Sequence, residues 1–503
     1  MSFIRTCVAA PALVVLLSGT AHAALTADQI WQSWKDGAAM AGLKLSAATE
    51  LNEDGTLTLN GVTLAPEGAK APLTISDLVL TEQDDGTVLI EPGAAIGLTS
   101  TEGDSASNLK IAHEGLTLTA SEGDEGGIVY DYSADSLNVS FDSTAPGYSF
   151  TDQPAKPTTA KGTFTFEALE GSYSDTPGDN RVFGLDLAAS KMAYDIASDD
   201  PNMPMKTAQK TEAADVDLSA EFTLPTSPLS SLQSPADFGR ALQEGLAFTL
   251  SMTQGASTGS AVQEDQFFPY NLTSSSLPGS AELVLNKDTF HLTAAGEGGE
   301  MEMTSAAIPA PLKLAFGAVA MTLTSPVVAT EAAGDYAYKL GVASLTLNDE
   351  AWGLFDPEAK LKHDPATIDI DISGKTKIDW PAIMAAETGG MTEAPPVPAP
   401  ETLDIAKLAV TVAGAALDAT GAFTFDNAMG VPMPVGTADV SVSGANQLID
   451  GLVAIGVITE DDAMGARMMM GAFMTPGSAP DTLTSKIEAK EGGAIFVNGQ
   501  QIQ

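Results

Sequence analysis

The chain has 503 residues, with 66 Asp+Glu against 23 Lys+Arg, a net charge of −43, and an apolar fraction of 44%. So acidic a chain lacks the basic surface that nucleic acid requires, and so apolar a chain is no disordered polyelectrolyte, since it can bury a sizeable core. Its length allows two to four domains at about 100–200 residues each.

In chain order, the first feature is Arg5, then an apolar run from Val8 to Leu17, then Ala21-His22-Ala23. These are the three parts of a secretory signal peptide, which predicts cleavage between Ala23 and Ala24. Residues 1–23 hold one Arg and no acid, so the mature charge is 22 − 66 = −44. The run is too short to span a bilayer, and Thr20 stands where a lipidated Cys would be needed. Cys7, the single cysteine, lies within the signal, so the mature protein is expected to have no thiol, disulfide or lipid anchor. No later segment reaches the roughly 18 apolar residues of a membrane helix; residues 308–320 and 448–458 come nearest and contain Lys313 and Asp450. The reading is a signal peptide at 1–23 followed by one β-rich region at 24–503, exported to the periplasm.

Thr26-x-x-Gln29 is a capping box that predicts a helix to about Ala41. Its apolar stripe is Ile30, Trp31, Trp34 and Ala38, and two of the four Trp of the chain sit there, so the helix is expected to dock on a sheet. From there the dominant period is two. Leu57/Leu59, Leu137/Val139/Phe141, Phe164/Phe166 and the run from Val216 to Leu224 alternate with polar residues. The same holds for Tyr336/Tyr338/Leu340 and for Ile368/Ile370/Ile372, with the alternation resuming at Thr376, Ile378 and Trp380. Each suits a strand with one dry and one wet face, the pattern of antiparallel sheet. Asn60-Gly61 and Asn498-Gly499 predict hairpin turns, because both central residues of a type I′ turn need positive φ. A short helix is predicted over 235–246, and a helical pair over 447–457 and 461–474, the second capped by Thr459-x-x-Asp462. The Ser/Pro-rich stretch 225–235 and the Pro-rich spacer 393–401 are candidate sub-boundaries. The expected fold is mainly β: one or more extensive antiparallel sheets, elongated, with a few terminal and capping helices.

Five constellations bear on chemistry. Gly255-Ala-Ser257-Thr-Gly259 matches a nucleophile elbow, which needs a strand before the serine and a helix after it; a small-residue loop is the ordinary reading. Asp369-x-Asp371-x-Ser373-Gly374 begins like a calcium loop, but Trp380 occupies the twelfth position where a bidentate Glu belongs, so these Asp read as the solvated face of a strand. Glu122-Gly-Asp124-Glu125 offers at most weak calcium association. His113, His291 and His363 are far apart, which gives no zinc spacing. Met464, Met468, Met469, Met470 and Met474 lie on the last helix near Phe473; a helix packed into the core is the ordinary reading, and an adaptable surface for a greasy ligand the sharper one. No catalytic, cofactor-binding or metal residue is assigned, and no cofactor is expected.

Three stretches carry a resemblance. They are Trp352-Gly-Leu-Phe355-Asp356-Pro357 with Asp364-Pro365-Ala366-Thr367, the helical segment Ala463-Met464-Gly465-Ala466-Arg467-Met468, and the ending Ala494-Ile495-Phe496-Val497-Asn498-Gly499-Gln500. Together they resemble an exported alphaproteobacterial family known as domain of unknown function 2125, over nearly the whole mature chain. Lys362-His363 departs from the Pro-Arg expected before Asp364-Pro365. The Asn-Gly ending is also similar to that of β-rich envelope proteins of the YdgA and AsmA type. The family implies no catalytic residue. The expected function is non-enzymatic: an envelope protein that binds or scaffolds, holding an apolar or lipid ligand against a long sheet or meeting another envelope protein. The alternatives are a serine hydrolase at Ser257 and calcium-dependent adhesion.

Overall fold

The structure is a computed structural model that describes residues 25–40, 43–66, 72–123, 126–148, 154–203, 205–225, 234–265, 267–388, 397–428 and 430–503. Cys7, the Ala23–Ala24 junction, Asp124 and Glu125, residues 226–233 of the stretch 225–235 and residues 393–396 of the stretch 393–401 lie outside the described residues. The fold is mainly β, with antiparallel pairing and six α-helices among the described residues: α1 (Ala27–Met40), α2 (Pro235–Gln243), α3 (Asp349–Phe355), α4 (Trp380–Thr388), α5 (Ala445–Ala454) and α6 (Glu460–Phe473). The chain divides into two compact units. The first comprises residues up to 233 and 244–273; the second comprises 234–243 and 274–503.

In the first unit, Thr26 caps α1 as its sequence predicts. Gln29 N donates to Thr26 Oγ1 at 3.2 Å and Thr26 N to Gln29 Oε1 at 3.0 Å. This fixes the start of the helix and so the direction of its stripe. Ile30, Trp31, Trp34 and Ala38 are buried against Leu57, Leu59, Leu80, Val88 and Ile90. Trp34 Nε1 donates to Tyr130 Oη at 3.3 Å, which gives a large buried aromatic the polar partner it needs. Beyond this core run four strands, Ile128–Ala145, Thr158–Thr176, Arg181–Asp200 and Met205–Leu224, each antiparallel to the next. Arg181 clamps Asp175 with two bonds of 2.6 Å, Nε to Oδ1 and Nη2 to Oδ2. The Asp175 side chain is 1% exposed. Its burial pushes its carboxyl above the usual carboxylate range, and Arg181 opposes the rise.

Asn60-Gly61 is not a hairpin turn. It lies inside the strand Thr56–Pro66, where Gly61 has φ +59° and the strand changes partner from Thr49–Glu53 to Leu43–Ser46. The positive φ was legible, but the strand runs straight through it, its register against Leu73–Glu82 unbroken.

The second unit is an antiparallel succession. Gly279–Leu285, Thr289–Gly296, Val319–Pro326, Gly334–Leu347, Ala366–Lys377, Ala399–Val412, Ala415–Asp426, Met433–Ser443 and Thr482–Ala489 pair in that order. Asn498 (φ 50°) and Gly499 (φ 81°) turn Ile495–Val497 into Gln500–Gln501, the predicted hairpin. Two helices were not foreseen, α3 and α4, and Trp380 opens α4 instead of continuing a strand. The scarce lysines serve as cross-strand partners on wet faces. Lys210 pairs with Asp195 at 2.7 Å, Lys339 with Asp371 at 3.0 Å and Lys375 with Asp335 at 2.6 Å. Such pairs contribute little each, but they separate carboxylates that would otherwise face one another.

Candidate ligand groove

The site is built from the junction of Ala366–Lys377 with α4. Asp379 caps α4: Ala382 N donates to its Oδ1 at 2.8 Å. Pro381 follows in the first turn, where a missing N–H leaves nothing unsatisfied. The helix start is then tied back to the sheet. Trp380 N donates to the Val327 carbonyl at 3.0 Å, and Trp380 Nε1 donates to Ser325 Oγ at 2.9 Å. The indole is therefore held along the sheet face.

α2 closes over α4. Ser234 and Asp237 form its capping box, Asp237 N donating to Ser234 Oγ at 3.2 Å and Ser234 N to Asp237 Oδ2 at 3.1 Å. Gly239 is the contact point: a Cβ there would lie 2.8 Å from Pro381 Cβ, so only glycine lets the two helices approach this closely.

Between the helices and the sheet lies a groove of about 580 Å³. Phe238 comes from α2, Leu323 and Tyr338 from two adjacent strands, Ile378 from the connection, and Trp380 and Met384 from α4. Its accessible wall is almost entirely carbon, and no charged side chain lines it. Trp380 stays 41% exposed, Tyr338 38% and Leu323 37%. Large apolar surfaces left uncovered side by side inside a fold are what a ligand pocket presents. Tyr336 Oη donates to the Thr402 carbonyl at 3.0 Å, and burial raises the pKa of that phenol, which keeps it neutral. The groove can hold an apolar body, and among the described residues its lining has no carboxylate, imidazole, amine or thiol.

A second cavity, about 600 Å³, lies in the first unit. Its walls include Asp131, Glu170, Asp186 and Asp217 among Ser and Thr hydroxyls, so it is a water-facing trough on the wet side of the strands. Burial, with the Asp186 charge secondary, pushes the Tyr132 phenol there up to about 12.

The sequence candidates are dispersed. Ser257 is the first residue of the strand Ser257–Glu264 and pairs with Ala213; a strand, not a helix, follows it, so no nucleophile elbow forms. His113 Nε2 meets the Gly93 carbonyl at 2.9 Å, and His291 Nδ1 meets Thr324 Oγ1 at 2.8 Å. His363 stacks on Trp352, with ring centroids 4.0 Å apart, and bonds Asp356 Oδ2 at 3.1 Å. Asp356 is fully buried and also accepts Lys360 N at 2.7 Å and Leu361 N at 2.8 Å. This cluster fixes the loop after α3. Asp369 and Asp371 lie on the strand Ala366–Lys377 and pair with Lys407 and Lys339, as a solvated face should. Among the described residues no three His, Cys, Asp or Glu side chains are grouped to hold a metal.

The core reading of the methionine helix is overturned. Only Ala463 of α6 is buried, while Met464, Met468, Met469 and Phe473 are exposed. The helix packs through its small residues, which leaves the large ones outside. No groove residue was singled out from sequence as a ligand contact. The available signals were Asp379 before Trp380-Pro381, a cap followed by a first-turn proline, and Ser234-x-x-Asp237.

Residues 248–496 match the model of a family described as an uncharacterized protein conserved in bacteria (DUF2125). The match is narrower than the sequence resemblance suggested: it takes in α3 to α6 and most of the groove, and leaves out α1 and α2. No curated protein matches the chain.

Proposed function

We propose that the chain, whose residues 248–496 match that bacterial family, is a non-catalytic, exported periplasmic protein whose groove between α2, α4 and the sheet holds one acyl chain or an equally apolar ligand. The observation that carries this reading is the groove itself: about 580 Å³, within the roughly 300–1,000 Å³ of ligand sites, walled by carbon and left open. The N-terminal pattern of Arg5, the apolar run and Ala21-His22-Ala23 supports export. The absence of charge from the walls among the described residues leaves a head group no ionic partner inside. The net charge of −43 disfavours an anionic head group near the mouth, so the ligand class is a neutral or cationic amphiphile. No helix of the described residues is long and apolar enough to cross a membrane.

The test is native mass spectrometry and lipid extraction of the full chain purified from cells that export it. A co-purifying amphiphile, lost in Leu323→Asp, is the expected result. A clean apo mass together with no uptake of a fluorescent long-chain alcohol refutes the proposal.

A further inference from the structure

One end of the first unit carries an observation that the groove does not use. Four connections are neighbours there. They are the hairpin from Glu102 to Ser105, the described stretches 146–148 and 154–157 that join a strand pair, the turn at 201–203, and residues 265 and 267–268 beyond Glu264, which pairs with Lys206. Strand register sets them side by side: Ala106 is opposite Thr144, and Thr159 is opposite Asp199. Three of the four end in large apolar side chains left in solvent: Tyr148 is 72% exposed, Met203 46%, Phe267 84% and Phe268 40%.

The backbone beneath these tips is held firmly. Asn202 Nδ2 donates to the Lys156 carbonyl and Lys156 N donates to Asn202 Oδ1, both at 2.7 Å, which locks one loop onto the next turn. Asp265 accepts the backbone N–H of Phe267 at 2.6 Å and of Phe268 at 2.5 Å. A single exposed apolar residue is ordinary, but several brought together on one rim are not.

The geometry points to this rim as a membrane-docking edge, with the interface of a neutral phospholipid bilayer as its occupant. Separate tips on end-on strands, each one side chain deep, suit a fluid surface that closes around them; a protein partner would be met by one continuous apolar face. Tyr settles at head-group depth, and Phe is an apolar side chain that buries at the boundary of head groups and acyl chains. The charges agree with a zwitterionic surface. Lys156 and Lys161 have no ion-pair partner among the described residues and can meet lipid phosphate. Asp142, Asp199, Asp200, Glu264 and Asp265 stand at the same end, so an anionic leaflet would be repelled. This inference does not depend on the groove proposal.

The experiment is flotation of the full chain with phosphatidylcholine vesicles, read beside quenching by brominated lipid in Phe267→Trp. The wild-type chain should float, and Phe267→Trp should show quenching above the wild-type background. The variant Tyr148→Ser/Phe267→Ser/Phe268→Ser should lose at least about 10-fold in partitioning with an unchanged melting temperature. Leu323→Asp, which spoils the groove, should float like wild type, so failure of the groove reading and failure of this one are separable. Phosphatidylglycerol vesicles should bind less, and recover in about 1 M NaCl, where charges interact over only about 3 Å. Wild type that does not float, or a triple variant that floats equally well, overturns the inference. A triple variant that instead turns a dimer into a monomer overturns it in favour of a second copy of the chain.

Discussion

Trp380→Ala is the most direct probe of the groove. The indole is 41% exposed, so of roughly 250 Å² for a Trp side chain about 100 Å² still faces the groove. At about 25 cal/mol per Å², a ligand that covers all of it gains about 2.5 kcal/mol, or about 70-fold in Kd; half coverage gives about 8-fold. Truncation also removes the bond from Nε1 to Ser325 Oγ. Trp380→Phe keeps the apolar wall without that bond and separates the two effects. Calorimetric titration with a long-chain alcohol reads the affinity of all three proteins, since Trp380, the exposed groove indole, is lost as a fluorophore in both variants. Affinity should weaken by about 8- to 70-fold in Trp380→Ala, with Trp380→Phe close to wild type, and the wild-type emission should shift to the blue as the alcohol binds. Equal affinity for wild type and Trp380→Ala, with the near-UV spectrum intact, would refute the assignment.

Other perturbations test the frame that supports the site. Arg181→Met strands a buried Asp175 carboxylate and should cost about 3–5 kcal/mol at neutral pH in urea unfolding. Because the native Asp175 pKa already lies above its ordinary 3.8, the native state binds more protons than the unfolded chain between those two values, and stability rises as pH falls through that window. The window widens when Arg181 is gone, so the loss should shrink as pH falls through it, and a pH-independent loss would contradict the reasoning. Gly239→Val forces a branched side chain against Pro381 and should cost about 1–3 kcal/mol by overpacking, with weaker uptake of the alcohol probe. In peptide mapping after mild peroxide treatment, Met464, Met468 and Met469 should become sulfoxides before the half-buried Met470. The melting temperature should rise between low and seawater-like NaCl as self-repulsion among unpaired carboxylates is screened; a flat response would count against that account of the surface.

What the sequence disclosed followed the range of each interaction. Local hydrogen-bond devices were read correctly: the Thr26/Gln29 and Thr459/Asp462 boxes need only four residues, and both form. The two Asn-Gly pairs show where local information stops. Both glycines take positive φ, but Asn498-Gly499 turns a hairpin while Gly61 sits inside a continuous strand, because a partner strand more than ten residues upstream claims the backbone around it. Trp380 failed for a related reason. A period of two over Thr376, Ile378 and Trp380 continues a strand only if the backbone does, and Asp379 with Pro381 ends it; the cap signal should have outranked the alternation. On α6 the helical period marked an apolar face, but period alone does not say which face turns inward. Ala463 allows close approach and wins the inside, so the methionines go out. The groove was beyond reach for the strongest reason of all. An alternating strand needs a dry face whether it ends in a packed core or an open site, so Leu323 and Tyr338 look the same in either case. The difference is made by what lies across from them, and that rests on Gly239 against Pro381, a contact between residues 142 apart in sequence. In this fold the strands supply a dry surface almost everywhere, and the placement of two short helices decides where it stays uncovered.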